Sequence, residues 1–403
     1  MKMTSYRSRW IVVNPGTIVR DAYLVCHDQR IQQVTRKRPD GEIAEHEGLL
    51  VPGLVNAHTH LEFSDLQQPL GMPQQGDSGD GMVSCPVDFV SWVGQVMQYR
   101  RQRPPETTFD NIRKGLEESI RGGVCAIGEI STFDWSSMIE PASRVVDFRE
   151  LIGFRKEQTE QIVHLAESHL QTARPQAVEA GLSPHAPYSL NTDALENAVR
   201  LSRQKKIPLA MHLAETQPEL ELLSGHRGPF FDLLNRLDLW TETNFPKQTT
   251  PLHFLRRLAE AYRAVVVHGN YLSDAELDFL AANQQRLRLV FCPRTHAYFG
   301  HENYPLESIR KKGIELALGT DSRASNPDLS IWREMEFLLN RYPQLEPAAI
   351  LRMGTIHGAR ALGMDAELGS LEPGRRASIH FAPPPEDSEL SRGIIDNSEI
   401  FRS

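Results

Sequence analysis

The sequence from residue 49 to residue 60 reads Leu49-Leu50-Val51-Pro52-Gly53-Leu54-Val55-Asn56-Ala57-His58-Thr59-His60, and this stretch decides the fold. Its first half is an apolar run, which is typical of a strand buried on both faces. His58 and His60 follow two residues apart, and alternate residues of a strand point to the same side. Two imidazoles on one side of a strand end can hold a divalent metal ion. The alternative is that both are surface histidines at the start of a loop.

The composition is that of an ordinary globular protein. The 403 residues are 40% hydrophobic and 24% charged, and this length accommodates one barrel with a satellite domain. The net charge of −8 and the pI near 6.0 argue against a nucleic-acid-binding surface.

The cysteines and the hydropathy predict the location. Four cysteines lie far apart without metal-type spacing, which favours reduced thiols in a cytoplasmic protein. The sequence contains neither the apolar run of a signal peptide nor a segment of ~18 apolar residues that would cross a membrane. We therefore expect a cytoplasmic protein whose partner is a small-molecule substrate, and a homodimer is compatible with the sequence.

Helices and short apolar strands alternate along most of the chain. We count about eight buried strands, the rhythm of a (β/α)₈ TIM-type barrel in the α/β class. The competing arrangement is a doubly wound open sheet, which usually carries a Gly-rich phosphate turn after its first strand. His58-Thr59-His60 stands in the place of such a turn.

Both chain ends are predicted to form a smaller β domain. Residues 1–48 contain short β-rich segments, and residues 368–403 return to turns and short β-like stretches. We therefore expect a small β-sandwich domain built from these two segments beside a barrel of residues 49–367. Residues 67–86, rich in Gln, Pro, Gly and Ser, are predicted to be a long loop, either a lid over the site or a disordered insertion.

Residues with metal-ligand chemistry follow several of the predicted strands. In a barrel the carboxyl ends of the strands meet on one face, where active sites are built. A single strand-end histidine is more often structural, but chance would scatter a larger set among helices and loops. The strand-end set comprises His58, His60, His185, His212, His268 and Asp321.

Part of this set forms a nitrogen and oxygen donor group for one divalent metal ion, with His58, His60, His212 and Asp321 as the ligands. Such donors suit zinc, with ferrous iron as the alternative. A water at an open metal position has its pKa lowered from about 15.7 toward ~7, which supplies hydroxide at neutral pH. Asp321 is both a ligand and a candidate base, and His268 either orients the water or serves as a fifth ligand.

Glu215 lies three residues after His212, on the loop that leaves the same predicted strand. A general acid or base must reach both the nucleophile and the leaving atom, and this loop offers that position. The alternative is a carboxylate that is stabilised by the N-terminus of a helix. The residues alone therefore predict metal-assisted hydrolysis with a proton shuttle.

The motifs, taken in order, resemble the amidohydrolase superfamily, and specifically its branch of cytosine deaminases, guanine deaminases and triazine hydrolases. The resemblance spans roughly residues 8 to 382. It rests on His58-Thr59-His60, Ser183-Pro184-His185, His212-Leu213-Ala214-Glu215, Val267-His268-Gly269, Leu318-Gly319-Thr320-Asp321-Ser322 and Gly369-Ser370-Leu371-Glu372-Pro373-Gly374.

The resemblance implies a site with one metal ion. The residues matching the ligands of that branch are His58, His60, His212 and Asp321, and those matching its proton- and water-handling groups are Glu215 and His268. The binuclear branch commonly uses a carbamylated Lys at the fourth strand end. Residues 181–184 offer no Lys there, which favours a single metal.

The substrate is implied by a further likeness to aminodeoxyfutalosine deaminases, which remove an amino group from an adenine-type nucleoside. His185 and Tyr188 would then contact the heterocycle, Glu62 or Arg294 the polar substituents, and Ser322 would also line the substrate site. Arg294 has the alternative of a structural salt bridge. We expect a metal-dependent aminohydrolase. The alternatives are a chlorohydrolase or amidohydrolase acting on a ring or cyclic amide, and a barrel that has lost catalysis and serves as a scaffold.

Overall fold

The computed structural model describes residues 3–72, 87–241 and 244–396. Most of the loop predicted to be a lid or a disordered insertion, residues 73–86, lies outside these ranges. No helix in the described ranges is long and apolar enough to span a membrane.

The strands of the described ranges fall into two sheets. The first sheet has the order β13-β4-β1-β2-β3, and the second is a barrel in which β5 to β12 are neighbours in sequence order. The strands are β1 (Met3–Asn14), β2 (Thr17–His27), β3 (Arg30–Thr35), β4 (Ile43–Pro52), β5 (Leu54–Thr59), β6 (Val124–Ser131), β7 (Arg144–Leu151), β8 (Val178–Pro184), β9 (Pro208–Leu213), β10 (Arg263–His268), β11 (Leu287–Phe291), β12 (Leu316–Leu318) and β13 (Ile379–Ala382).

The helices surround the barrel or connect its strands. A π-helical turn at residues 353–357 joins α12 to α13. The helices are α1 (Phe89–Arg101), α2 (Pro105–Arg121), α3 (Thr159–Gln171), α4 (Thr192–Lys205), α5 (Gln217–Gly225), α6 (Pro229–Arg236), α7 (Pro251–Leu258), α8 (Asp274–Ala282), α9 (Pro293–Tyr298), α10 (Leu306–Lys311), α11 (Ile331–Arg341), α12 (Pro347–Arg352), α13 (Gly358–Leu362) and α14 (Glu389–Asp396).

The parallel eight-stranded barrel predicted from the sequence is confirmed. Its neighbouring strands pair in parallel from β5 through β12. A bridge between Thr59 and Asp321 brings the first and last strands together and completes the ring. The small β domain from both chain ends is also present, and its described strands form one five-stranded sheet.

The apolar run that begins at Leu49 contributes strand residues to both sheets. Residues 49–52 end β4 and pair with β13 in the small sheet, whereas β5 begins the barrel at Leu54. Gly53 lies between them, and a Cβ there would come within 2.8 Å of the Cys125 sulfur. A glycine is needed because the two chain segments approach so closely.

The barrel closes through buried hydrogen bonds between the first and last strands. The carbonyl of His58 accepts bonds from the backbone N–H groups of Thr320 and Asp321, each at 3.1 Å. The side chain of Asn56 donates to Thr320 Oγ1 at 2.8 Å and accepts from the Thr320 N–H at 3.1 Å. Asn56 is fully buried, so no water can replace these bonds.

We expect Asn56→Ala to destabilise the protein by about 2–4 kcal/mol, because the buried Thr320 donor and acceptor lose their partner. The midpoint of urea unfolding, followed by circular dichroism, measures the change. Asn235→Ala is the control, since Asn235 is exposed on α6 and bonds only to its own helix. The closure account is wrong if both variants unfold at the midpoint of the unaltered protein.

Candidate active site

Three strands of the barrel deliver the predicted metal ligands to one face. His58 lies in β5, and His60 follows its end. His212 lies in β9 and Asp321 follows β12. All four residues are buried, with exposed fractions of 7% or less. The strand-end rule therefore brings together residues that are up to 263 positions apart in the sequence.

The donor atoms of these residues converge on one point. The Nε2 atoms of His60 and His212 are 3.3 Å apart, and Asp321 Oδ1 lies 3.7 Å from His58 Nε2 and 3.8 Å from His60 Nε2. Four ligands arranged tetrahedrally at ~2.1 Å from one ion lie about 3.4 Å from each other. The spacing therefore fits one divalent metal ion.

The protonation chemistry of the imidazoles fits the same ion. Burial, together with the neighbouring imidazoles, lowers the pKa of His60 and of His212 well below the usual value, so both rings are neutral. His212 donates its Nδ1 proton to the carbonyl of His185, which leaves Nε2 as a lone pair. Both ring nitrogens of His58 are buried without a hydrogen-bond partner in the described structure. Buried ring nitrogens without a hydrogen-bond partner are costly, and coordination of a metal ion would satisfy one of them.

Three strand-end residues in the site have left-handed backbone conformations. The φ angles are 53° at Ala214, 70° at His268 and 55° at Asp321. Each costs on the order of 1–3 kcal/mol unless the surroundings hold it. Glu219 accepts the Ala214 N–H, and the Tyr304 hydroxyl donates to the carbonyl of His268. The conformations at Ala214 and His268 are therefore held by buried hydrogen bonds.

Glu215 is the candidate proton carrier, and it lies beside His268. Glu215 Oε1 is 3.4 Å from His268 Nε2, and a donor atom from each of these two residues and from Asp321 lies within 4.8 Å of the others. Burial and the nearby carboxylates of Asp321 and Glu219 raise the pKa of Glu215 well above the usual value. Glu219 also accepts the Glu215 N–H at 2.9 Å, so it positions this loop. Sequence reasoning missed this role of Glu219.

A cavity of about 340 Å³ opens in front of these residues. Its inner end contains His60, His212, Glu215, His268 and Asp321. Its outer wall is largely apolar and comes from α1, α6 and the residue that follows α6, with Phe89, Trp92, Val93, Val96, Met97, Phe230, Leu233, Leu234 and Leu237 as lining residues. The site thus combines a polar floor with an apolar wall, as small-molecule sites do.

Three of the residues implied as substrate contacts line this cavity: His185, Tyr188 and Ser322. Burial, with Arg100 and His58 nearby, lowers the pKa of His185 to about 3. The ring of Tyr188 stacks on that of Phe230, with centroids 4.0 Å apart.

Arg294 and Glu62 do not line the cavity. Arg294 Nε is 2.7 Å from Glu334 Oε1, and its Nη2 is 2.7 Å from Asp328 Oδ1. Both carboxylates come from the segment that follows β12, so the guanidinium is satisfied within the fold. Of the two alternatives for Arg294, these contacts favour the structural salt bridge. Glu62 is buried against Arg100, with Oε1 2.6 Å from Nη2, so this carboxylate is also paired within the fold.

Arg100 and Glu150 line the cavity and were missed by sequence reasoning. Arg100 comes from α1, which no spacing rule connects to the barrel face. Glu150 lies near the end of β7, so the strand-end rule could have found it if carboxylates had been followed along every strand.

Comparison with known proteins agrees with this geometry. The amidohydrolase family matches residues 49–388. An aminodeoxyfutalosine deaminase of Nitratiruptor sp. is 25% identical over 93% of this chain and 90% of its own length. A 5-methylthioadenosine/S-adenosylhomocysteine deaminase of Shouchella clausii is 27% identical over 96% of this chain and 86% of its own length.

The fold is shared with a crystal structure of the Helicobacter pylori aminofutalosine deaminase in complex with methylthio-coformycin. That likeness has a TM-score of 0.79 at 22% identity and covers 98% of this chain and 95% of the other. An adenosine deaminase from Xanthomonas campestris with bound zinc gives a TM-score of 0.71 at 23% identity, over 93% and 83% of the two chains.

The barrel, the donor set and the matched residues define a hydrolase with a divalent-metal site. The chain belongs to the amidohydrolase family. The family, the barrel and the enzyme class predicted from the sequence are confirmed.

We expect His60→Ala to lose most of the bound metal, because three remaining ligands hold the ion weakly and one of the closest donor pairs is broken. Elemental analysis of the purified variant gives the metal-to-protein ratio. His164→Ala is the control, since His164 is exposed on α3 and outside the donor set. Equal metal content in both variants would remove His60 from the site.

Proposed function

We propose that this protein is an aminohydrolase that removes the exocyclic amino group of an adenine-type nucleoside. In this reaction water supplies the oxygen that replaces the amino group, and ammonia leaves. The single observation that carries the proposal is the buried Glu215 carboxyl beside His268 and Asp321, at the floor of a cavity large enough for a nucleoside. The deaminases among the relatives support the same substrate class.

We further propose zinc as the ion, held by His58, His60, His212 and Asp321, because three imidazoles and one carboxylate suit it. When bound, this ion lowers the pKa of water and so supplies a nucleophile at neutral pH. Asp321 Oδ1 lies on the donor cluster and Asp321 Oδ2 accepts a hydrogen bond from Ser325 at 3.0 Å, which holds the carboxylate in place for proton transfer.

Glu215 would act as the proton donor. Addition of water to the amino-bearing ring carbon places negative charge on the adjacent ring nitrogen, and a protonated carboxyl can neutralise it. The raised pKa of Glu215 keeps the proton on this group before the reaction. Glu215 would then pass a proton from the water to the leaving amine, and His268 stabilises the charge in between. Asp321 would accept the second proton of the water and return it to Glu215, which restores the carboxyl group. One proton of the water thus ends on ammonia and the other replaces the proton given to the ring nitrogen, while the carbon–oxygen bond that forms is matched by the carbon–nitrogen bond that breaks.

The same proposal includes the cellular location. The described cysteines, Cys26, Cys125 and Cys292, are free thiols, and burial raises the pKa of each one. Thiols that are unpaired among the described residues support the cytoplasmic location expected from the sequence.

An ammonia-release assay with zinc-loaded protein tests the reaction. We expect adenosine-type nucleosides to release one ammonia per molecule converted, with the hydroxylated ring as the second product in mass spectrometry. Chlorinated triazines and cyclic amides, assayed in parallel for chloride or carboxylate, should give no product. Turnover only in the parallel assays would replace deamination by the other hydrolytic chemistry.

We expect Glu215→Gln to lower kcat by about 10²–10⁴ while the metal content stays unchanged, because the amide cannot transfer a proton. Steady-state kinetics and elemental analysis of the same preparation measure both quantities. Glu260→Gln, at an exposed position just after α7, makes the same chemical change outside the site and should behave like the unaltered protein. Full activity in Glu215→Gln would exclude this residue from the mechanism.

A further inference from the structure

We propose that Glu150 binds a hydroxyl group of the substrate, and that the cavity around it selects nucleosides whose remaining substituent is uncharged and apolar. This inference rests on the proposed deamination, because it concerns the part of the substrate that lies beyond the reacting ring.

Glu150 is a buried carboxylate in which one oxygen contacts Arg100 and the other has no hydrogen-bond partner among the described residues. Its side chain is 2% exposed, and Oε2 lies 3.2 Å from Arg100 Nη1. Oε1 has no hydrogen-bond partner in the described structure, although Glu150 lines the cavity. An unpaired buried acceptor is costly, so a donor from the substrate would stabilise it.

The neighbour of this free oxygen is a second acceptor. Ser189 Oγ lies 3.1 Å from the carbonyl oxygen of Ala186 and 2.6 Å from His185 Nδ1. Because the hydroxyl has one proton, both bonds form together only when Ser189 donates to the carbonyl and His185 Nδ1–H donates to Ser189; we assign this tautomer. His185 Nε2 then carries a lone pair, and it lies 3.6 Å from Glu150 Oε1. Two acceptors that face each other without a proton between them fit a donor group such as a sugar hydroxyl.

The position of this acceptor pair matches a sugar rather than the reacting ring. The ring centroid of His185 is 4.8 Å from that of His212, a proposed metal ligand. Glu150 in turn neighbours His185, and it is not a member of the clusters of metal-binding donors. A heterocycle held at the metal cluster would therefore place its attached sugar near Glu150.

The charge of the surroundings disfavours acidic substrates. Among the described lining residues Arg100 is the only Lys or Arg, and the carboxylates of Glu62 and Glu150 share its guanidinium. Among the described lining residues a substrate carboxylate would find no available cation, whereas an apolar group would meet the wall formed by Phe89, Trp92 and Phe230.

A series of nucleosides with the unaltered enzyme tests the inference first. We compare 5′-deoxyadenosine with 2′,5′-dideoxyadenosine and 3′,5′-dideoxyadenosine, each of which lacks one further hydroxyl group. For at least one of the two, we expect kcat/KM to be lower by about 10- to 100-fold, the range for a hydrogen bond to a charged group. The kcat/KM for adenosine 5′-carboxamide should likewise be higher than that for adenosine 5′-carboxylate, because these two substrates differ chiefly in charge. Equal values within both comparisons would overturn the inference but leave the deaminase proposal intact. Absence of ammonia from every nucleoside would instead contradict the proposed function.

Glu150→Gln then assigns the effect to this residue. The amide keeps the size of the side chain but removes its charge, so both preferences should shrink toward unity while the metal content stays the same. Glu157→Gln, at an exposed position seven residues further on, should keep both preferences. Preferences that survive unchanged in a folded, metal-loaded Glu150→Gln protein would show that another residue recognises the substrate.

Discussion

The closure of the barrel between β5 and β12 is the constraint on which the rest of the site depends. His58 accepts two backbone hydrogen bonds from the residues that begin the loop after β12, and Asn56 adds two side-chain bonds beside them. Since the side chains of a strand alternate between its faces, a shift of one residue in this register would turn His58 and His60 away from Asp321. The metal site is thus a consequence of the pairing that closes the sheet.

Once the ring is closed, burial determines the chemistry. Burial lowers the pKa of His60 and of His212 and raises the pKa of Glu215, the directions that metal binding and the proposed proton donation need. The left-handed conformations of Ala214, His268 and Asp321 hold these groups at the cavity floor. In the proposed binding mode, the polar floor would take the reacting ring and the apolar wall would contact an apolar substituent.

The barrel was predicted correctly, and the proposed ligands could be recognised as candidates, because both rest on local patterns in the sequence. Apolar strands, and polar residues at their ends, can be recognised without knowing which strands pair. Local patterns could not decide whether Arg294 contacts the substrate or forms a structural salt bridge. Its partners Asp328 and Glu334 lie more than thirty residues later, and only the folded chain brings them together. Arg100 reaches the site from a helix after a long loop, which leaves no spacing to indicate its position.

The most direct test of the account is anomalous X-ray scattering from crystals of the zinc-loaded protein, recorded on both sides of the zinc absorption edge. The account predicts one strong peak per chain, about 2.0–2.2 Å from His58 Nε2, His60 Nε2, His212 Nε2 and a carboxylate oxygen of Asp321. A peak at another place in the chain, or these four donors turned away from a shared centre, would contradict it.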